Sequence, residues 1–250
     1  MQKIELWHNA IFGFHDERLA VCLRPGSGRE FCENQEWSLA CPICQKRPPR
    51  RYCPAKVKDI CAVCCGTERE VTIDCPADCP YLVASRHYDR ERRDVDWSQI
   101  PFADTKIPSS FVAAHERLLL AISYTICLYA RDERLTVDSD VLASLQALAE
   151  TYKTLESGIY YEKPPEFRLQ RELYDKLKAT IDEYKKSEAQ QMNSASVRDG
   201  DVRDALIFLT QLGATRANGR AKGRAYLDFL RTQFKSEELS KPASNIVLLP

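Results

Sequence analysis

The sequence predicts a mainly α fold, in which a small cysteine-rich module with short strands is followed by an antiparallel α-helical bundle. Three observations carry this reading. Eight of the eleven cysteines fall within the 39 residues from Cys41 to Cys79. From residue 109 onward apolar side chains recur at helical spacing. The connections between those periodic segments are short, which implies antiparallel neighbours.

The composition fits a folded, water-exposed chain. Hydrophobic residues make up 44% and charged residues 29%, with 36 Lys and Arg balanced by 36 Asp and Glu. Zero formal net charge removes the simplest argument for nucleic-acid binding, a bulk basic excess. The opening residues, Met1-Gln-Lys-Ile-Glu-Leu-Trp-His-Asn, hold no apolar run, so no signal peptide is expected. The most apolar stretch, Leu118 to Ala130, is broken by Ser123 and Thr125. It falls well short of the ~20 residues a membrane span needs. A cytoplasmic protein is expected, whose reduced thiols serve metal or redox roles. Were the chain secreted, the same eight cysteines would suit four disulfides.

Five segments follow in order. Residues 1–40 form an N-terminal segment, with Ile4, Leu6 and Leu19 to Leu23 as short-strand candidates and Pro25-Gly-Ser-Gly28 as a turn. Residues 41–82 are the cysteine-rich module, with room for a strand at Glu70-Val-Thr-Ile73. Residues 83–108 read as a short charged helix, Arg90-Glu-Arg-Arg-Asp94, and a linker holding Trp97, Pro101 and Pro108.

Residues 109–240 form the bundle. Ser109-Ser110 can cap a first helix that buries Phe111, Leu118, Leu119, Ile122, Ile126 and Tyr129. Asp138 or Ser139 opens a second, carrying Val141, Leu145, Leu148, Tyr152 and Leu155, with Gly158 as its stop. Pro164-Pro165 starts a third, with Leu169, Leu173, Leu177, Ile181 and Tyr184. After a polar gap from Asn193 to Gly200, Asp201 leads a fourth through Leu206, Leu209 and Leu212 to Gly213. A fifth runs from about Arg220 to Phe234, and residues 241–250 are a tail.

The cysteines are spaced as metal ligands. Zinc takes four soft ligands in a tetrahedron, usually as pairs two to four residues apart, because one tight turn then aims both sulfurs at one ion. Cys41/Cys44, Cys61/Cys64 and Cys75/Cys79 fit that rule, and Cys53 with Cys65 brings the total to eight ligands for two zinc ions. Two zinc ions are expected, and one at minimum. The apolar content of this stretch is too small for a core, so metal would take that role. Cys61-Ala-Val-Cys64 alone could be a dithiol redox motif, but no βαβ setting surrounds it. A zinc-thiolate redox sensor remains an alternative. Cys127, in an apolar helix, reads as a buried small residue, and Cys22 and Cys32 stand outside the ligand set.

The spacing Cys41-x2-Cys44, Cys53, Cys61-x2-Cys64, with Arg51-Tyr-Cys53 and Asp59-Ile-Cys-Ala-Val-Cys64, resembles the B-box zinc finger of tripartite-motif proteins. The resemblance covers some 40 residues. It implies a cross-brace, in which Cys41, Cys44, Cys61 and Cys64 share one zinc. Cys53, Cys75 and Cys79 would belong to the other. Where that family carries Asp or Cys three residues after the third ligand, this chain has Lys56, and Cys65 is the substitute. One zinc with spare thiols, or His87 in place of a cysteine, are the other arrangements for the second site. The resemblance also implies interaction rather than catalysis.

Two basic clusters stand out. Lys46, Arg47, Arg50 and Arg51, with Lys56 and Lys58 beyond, lie inside the cysteine module and could grip phosphates. Arg220, Lys222 and Arg224, with Arg216 nearby, sit at an expected helix start, the unfavourable end for cations. A bound anion or acidic partner would explain them. None of His8, His15, His87 or His115 lies in a catalytic pattern, and Tyr152, Tyr160, Tyr161 and Tyr184 read as packing residues. The expectation is a zinc-binding, non-enzymatic protein that meets a protein partner as a scaffold or assembly component. The alternative is a nucleic-acid-associated regulatory protein using the loop 46–58.

Overall fold

A computed structural model describes residues 40–158, 160–192 and 197–240. The strand and turn candidates before residue 40, Cys22, Cys32 and the tail 241–250 lie outside the described residues. Within them the protein is mainly α, with nine helices and one two-stranded antiparallel sheet.

The cysteine module is built on a hairpin of β1 (Arg51–Cys53) and β2 (Lys58–Ile60). Arg51 faces Ile60, Tyr52 faces Asp59 and Cys53 faces Lys58 across the pair. The period-two alternation of a strand turns Cys53 and Ile60 inward and leaves Tyr52 and Asp59 exposed. Helix α1 (Ala62–Glu68) follows directly, then α2 (Pro80–Arg92), which opens on Pro80 as first-turn prolines do. The expected strand at Glu70–Ile73 is instead a tight turn. Glu70 has φ +52, and the N–H groups of Val71, Thr72 and Ile73 all donate to the Glu68 carbonyl. The module's small core consists of Ile60, Ile73 and the cysteines themselves.

The expected linker is anchored rather than loose. After α2 a 3₁₀ turn, Trp97–Gln99, leads to residues whose Phe102 and Ile107 pack on the bundle core. The Gln211 side chain donates to the Phe102 and Thr105 carbonyls at 2.8 and 2.9 Å.

The bundle comprises α3 (Ser109–Ala114), α4 (Glu116–Asp132), α5 (Asp138–Glu156), α6 (Arg168–Met192), α7 (Asp199–Arg216), α8 (Ala225–Arg231) and α9 (Ser236–Ser240). The first expected helix is thus two, separated at His115, whose ring stacks on Phe111 at 4.1 Å and whose Nδ1 lies 3.0 Å from the Phe111 carbonyl. Helix α5 keeps both expected ends. Asp140 accepts from the Val137 N–H at its start, and Gly158 at φ +77 closes it. The apolar positions named above fill one continuous core. Tyr152 and Tyr184 belong to it, while Tyr160 and Tyr161 are exposed.

Antiparallel packing holds for α4 with α6 and for α5 with α7. Tyr129 reaches Leu169 and Arg117 reaches Glu188 in the first pair, and Arg203 pairs with Glu156 in the second. Helices α5 and α6 instead run parallel, joined through Asp140–Gln170 and Thr151–Tyr174. The cause is the segment before α6, which turns back along α5: the Tyr161 carbonyl meets Thr154, and Glu162 meets Tyr174. A return stretch of that length permits a parallel neighbour where a tight loop does not.

Gly213 does not end α7, which continues to Arg216. Its value is the missing side chain. A Cβ there would lie 2.6 Å from Tyr226 Cε1 and 2.7 Å from Leu142 Cδ2. Tyr226 is fully buried and donates to the Leu209 carbonyl, so it has no room to retreat. Gly213→Ala is therefore expected to destabilise the bundle by about 1–3 kcal/mol. A lower urea midpoint at unchanged slope would report it.

Candidate metal centre

Two knuckles bring four sulfurs together. In the first, the Cys41 N–H donates to the Arg47 carbonyl and the Gln45 N–H to the Cys41 carbonyl, both at 2.7 Å. Gln45 takes φ +52 to close the turn. In the second, Cys61 caps α1, and its sulfur accepts the Cys64 N–H at 3.3 Å. The Cys61 N–H in turn donates to the Cys41 sulfur at 3.2 Å, which ties the knuckles to each other.

The Sγ atoms of Cys41, Cys44, Cys61 and Cys64 all lie within 4.8 Å of one another. Cys44 and Cys61 are 3.8 Å apart. A tetrahedron with Zn–S bonds of about 2.3 Å has edges of about 3.8 Å. The donor set therefore has the size and chemistry of a four-thiolate site able to hold one metal ion.

The electrostatics show why a cation suits it. Backbone N–H donation from Lys46, with that from Arg47, lowers the Cys44 thiol to about 6 against the pull of burial. Burial raises Cys41, but the N–H groups of Cys61, Cys44 and Ile43 outweigh it and bring the thiol below its ordinary value. Cys64 is pushed up to about 12 by burial and by the neighbouring sulfurs of Cys61, Cys44 and Cys41. Once the first thiols ionise, the last is repelled by their charge. A divalent cation at the centre reverses that repulsion and lets all four deprotonate.

Among the described residues, this is the set of ligand-type side chains drawn together so closely. Cys53, Cys65 and Cys75 share the module's core, and Cys79 is buried at the start of α2. These four are not drawn into such a group. The Cys65 sulfur meets the buried Arg69 guanidinium at 3.7 Å. Burial raises the Cys75 thiol, and the charges of Cys79, Cys53 and Glu70 add to that. His87 is exposed beside Glu91 and is not part of the four-sulfur group, and Cys127 is buried in α4 with its thiol pushed up to about 12 by burial.

The two basic clusters have different fates. Lys46, Arg47 and Arg50 are exposed, and Arg51 lies over the Tyr81 ring at 4.8 Å. Arg220, Lys222 and Arg224 turn inward onto the cysteine module. Arg220 donates to the Gly66 and Arg69 carbonyls, Lys222 to the Thr72 carbonyl, and Arg224 pairs with Asp74 and reaches the Thr136 and Arg134 carbonyls. The acidic partner expected for this cluster is thus part of the chain. The unfavourable helix start is offset by Asp138, which accepts the Tyr226 and Leu227 N–H groups, both at 3.0 Å.

Glu70 is the residue that sequence reasoning missed. It is 2% exposed and sits at the junction of module and bundle. Its carboxylate accepts from Arg86 at 2.6 Å, from the Asn218 amide at 2.7 Å and from the Arg224 N–H at 3.4 Å. Its carbonyl accepts the Lys222 N–H at 2.7 Å. Arg86 also pairs with Asp228 of α8 at 2.7 Å. No local motif marks such a residue, because its partners lie up to 154 positions away.

Among the described residues no helix is long and apolar enough to cross a membrane. No protein-family model matches the chain, and no curated protein or solved structure does so significantly.

Proposed function

We propose that the chain is a zinc-binding, non-enzymatic scaffold protein of the cytoplasm, with two zinc ions shaping the module at residues 41–79. The observation that carries the reading is the four-sulfur group of Cys41, Cys44, Cys61 and Cys64, with its tetrahedral 3.8 Å edge. Thiolate sulfur favours zinc over hard cations such as Mg²⁺ or Ca²⁺. Four protein ligands leave no open position for water or substrate, as structural sites do and catalytic ones do not.

The second zinc would take Cys53, Cys65, Cys75 and Cys79. Cys53, Cys65 and Cys79 are buried and Cys75 is half-buried, which supports this. Sharing one ion between Cys41/Cys44 and Cys61/Cys64 is also what the B-box resemblance implies. A protein partner is supported by apolar side chains left exposed on the module and α2, namely Ile43, Val57, Val63, Val71 and Val83.

Metal analysis of protein purified under reducing conditions tests the reading. Two zinc ions per chain are expected, falling to one in Cys75→Ser/Cys79→Ser. Fewer than one in the parent protein would reject it.

A further inference from the structure

We infer that the outer surface of the cysteine module, from Lys46 to Lys58, binds single-stranded nucleic acid. The inference rests on the zinc reading above, since the knuckles hold this surface in shape.

Charge is the first argument. Between residues 41 and 67 the chain carries six cations, Lys46, Arg47, Arg50, Arg51, Lys56 and Lys58, against one carboxylate, Asp59. The chain as a whole is neutral, so this excess is local to one stretch. The second argument is that these charges are unused. Lys46, Arg47, Arg50, Lys56 and Lys58 are exposed, and among the described residues their charged groups meet no hydrogen-bond or ion-pair partner. Where the module meets α2 and the bundle, the fold consumes its cations. Arg69 goes to Cys65, Arg86 to Glu70 and Asp228, and Arg220, Lys222 and Arg224 go to carbonyls and Asp74.

The third argument is an aromatic ring within the cationic run. Tyr52 is 55% exposed on the outer face of β1. The Arg50 N–H extends the ladder by donating to the Ile60 carbonyl at 3.0 Å, which places Arg50 two residues before Tyr52 on the same face. An exposed ring with a guanidinium on its own face, and ammonium groups in the adjoining turn and β2, offers the stacking and phosphate contacts that sequence-tolerant single-strand binders combine. Asp59, across from Tyr52, repels a phosphate but can accept a base amino group. An acidic peptide would use the cations and leave the ring idle, which is why nucleic acid is the better fit.

The test uses the full chain with its zinc content measured on the same sample. The probe is a labelled oligothymidylate of about 20 nucleotides, titrated by fluorescence anisotropy between about 50 and 200 mM salt. Binding should weaken with salt at a log–log slope near −3.5, about −0.7 for each of five phosphate contacts. Arg47→Gln/Arg50→Gln/Lys58→Gln should make the slope shallower by about two while zinc and helical signal stay unchanged. Tyr52→Ala should weaken binding about ten-fold with little change of slope. Zinc-loaded protein that ignores the oligonucleotide, a triple variant that binds as the parent does, or polyglutamate binding as tightly as the oligonucleotide would each overturn the inference. So would a Tyr52→Ala variant with full affinity. A chain purified without zinc would overturn the metal reading instead, and this surface with it.

Discussion

Cys61→Ser should abolish tight zinc binding at the four-sulfur site and unfold residues 41–79. The size of the effect follows from how much converges on one sulfur. Cys61 supplies one of the four sulfurs able to hold the ion, its sulfur caps α1 through the Cys64 N–H, and its own N–H holds the Cys41 sulfur. Structural zinc contributes on the order of 10 kcal/mol to folding in modules of this kind, far more than a cap or a single hydrogen bond. A serine hydroxyl keeps the cap but is a poor zinc ligand. Few apolar residues are at hand to replace the metal, since Ile60 and Ile73 are the non-cysteine members of the module core. Zinc stoichiometry and amide exchange over residues 41–79 would read the outcome. Cys127→Ser, in the apolar interior of α4, should leave zinc unchanged. A Cys61→Ser protein with full zinc and a protected module would show that the thiols, not the metal, hold the fold.

The first ligand set was legible in the sequence because knuckle chemistry is local. Two sulfurs separated by a single tight turn must point together, and spacing alone reports it. Helix faces were legible for the same reason, as Leu173, Leu177 and Ile181 show by their complete burial. What failed was everything set by distant partners. Arg220, Lys222 and Arg224 look like a surface for an outside anion until Glu70 and Asp74 are placed against them, about 150 residues earlier in the chain. Gly213 looks like a helix stop because the Tyr226 ring that needs its missing side chain comes from another helix. The parallel α5–α6 pair escaped notice since periodicity reports a face, not a direction.

Glu70→Ala should cost about 3 kcal/mol, while both expected zinc ions stay bound. Removing the carboxylate leaves the Asn218 amide and the Arg224 N–H without their acceptor, and it strips Arg86 of one of its two anions. Breaking a buried ion pair from one side costs about 3–5 kcal/mol, because the remaining charge stays buried. Here Asp228 still faces Arg86, so the lower end applies. Glu70→Gln keeps an acceptor for part of the network and should cost less. The backbone offers a check on the cause. Glu70 sits at φ +52, a conformation that glycine adopts without strain, so Glu70→Gly relieves the turn while losing the same carboxylate. If Glu70→Gly is as unstable as Glu70→Ala, the clamp dominates and the turn is secondary. Faster amide exchange at residues 218–224, with zinc content intact, would separate this junction from the metal site. Unchanged stability in Glu70→Ala would instead assign the docking to the carbonyls that Arg220 and Lys222 hold. Zinc removal should release the same clamp, because a module that loses its metal no longer presents Glu70 to Arg86 and Arg224, so the bundle should melt lower by about as much as in Glu70→Ala.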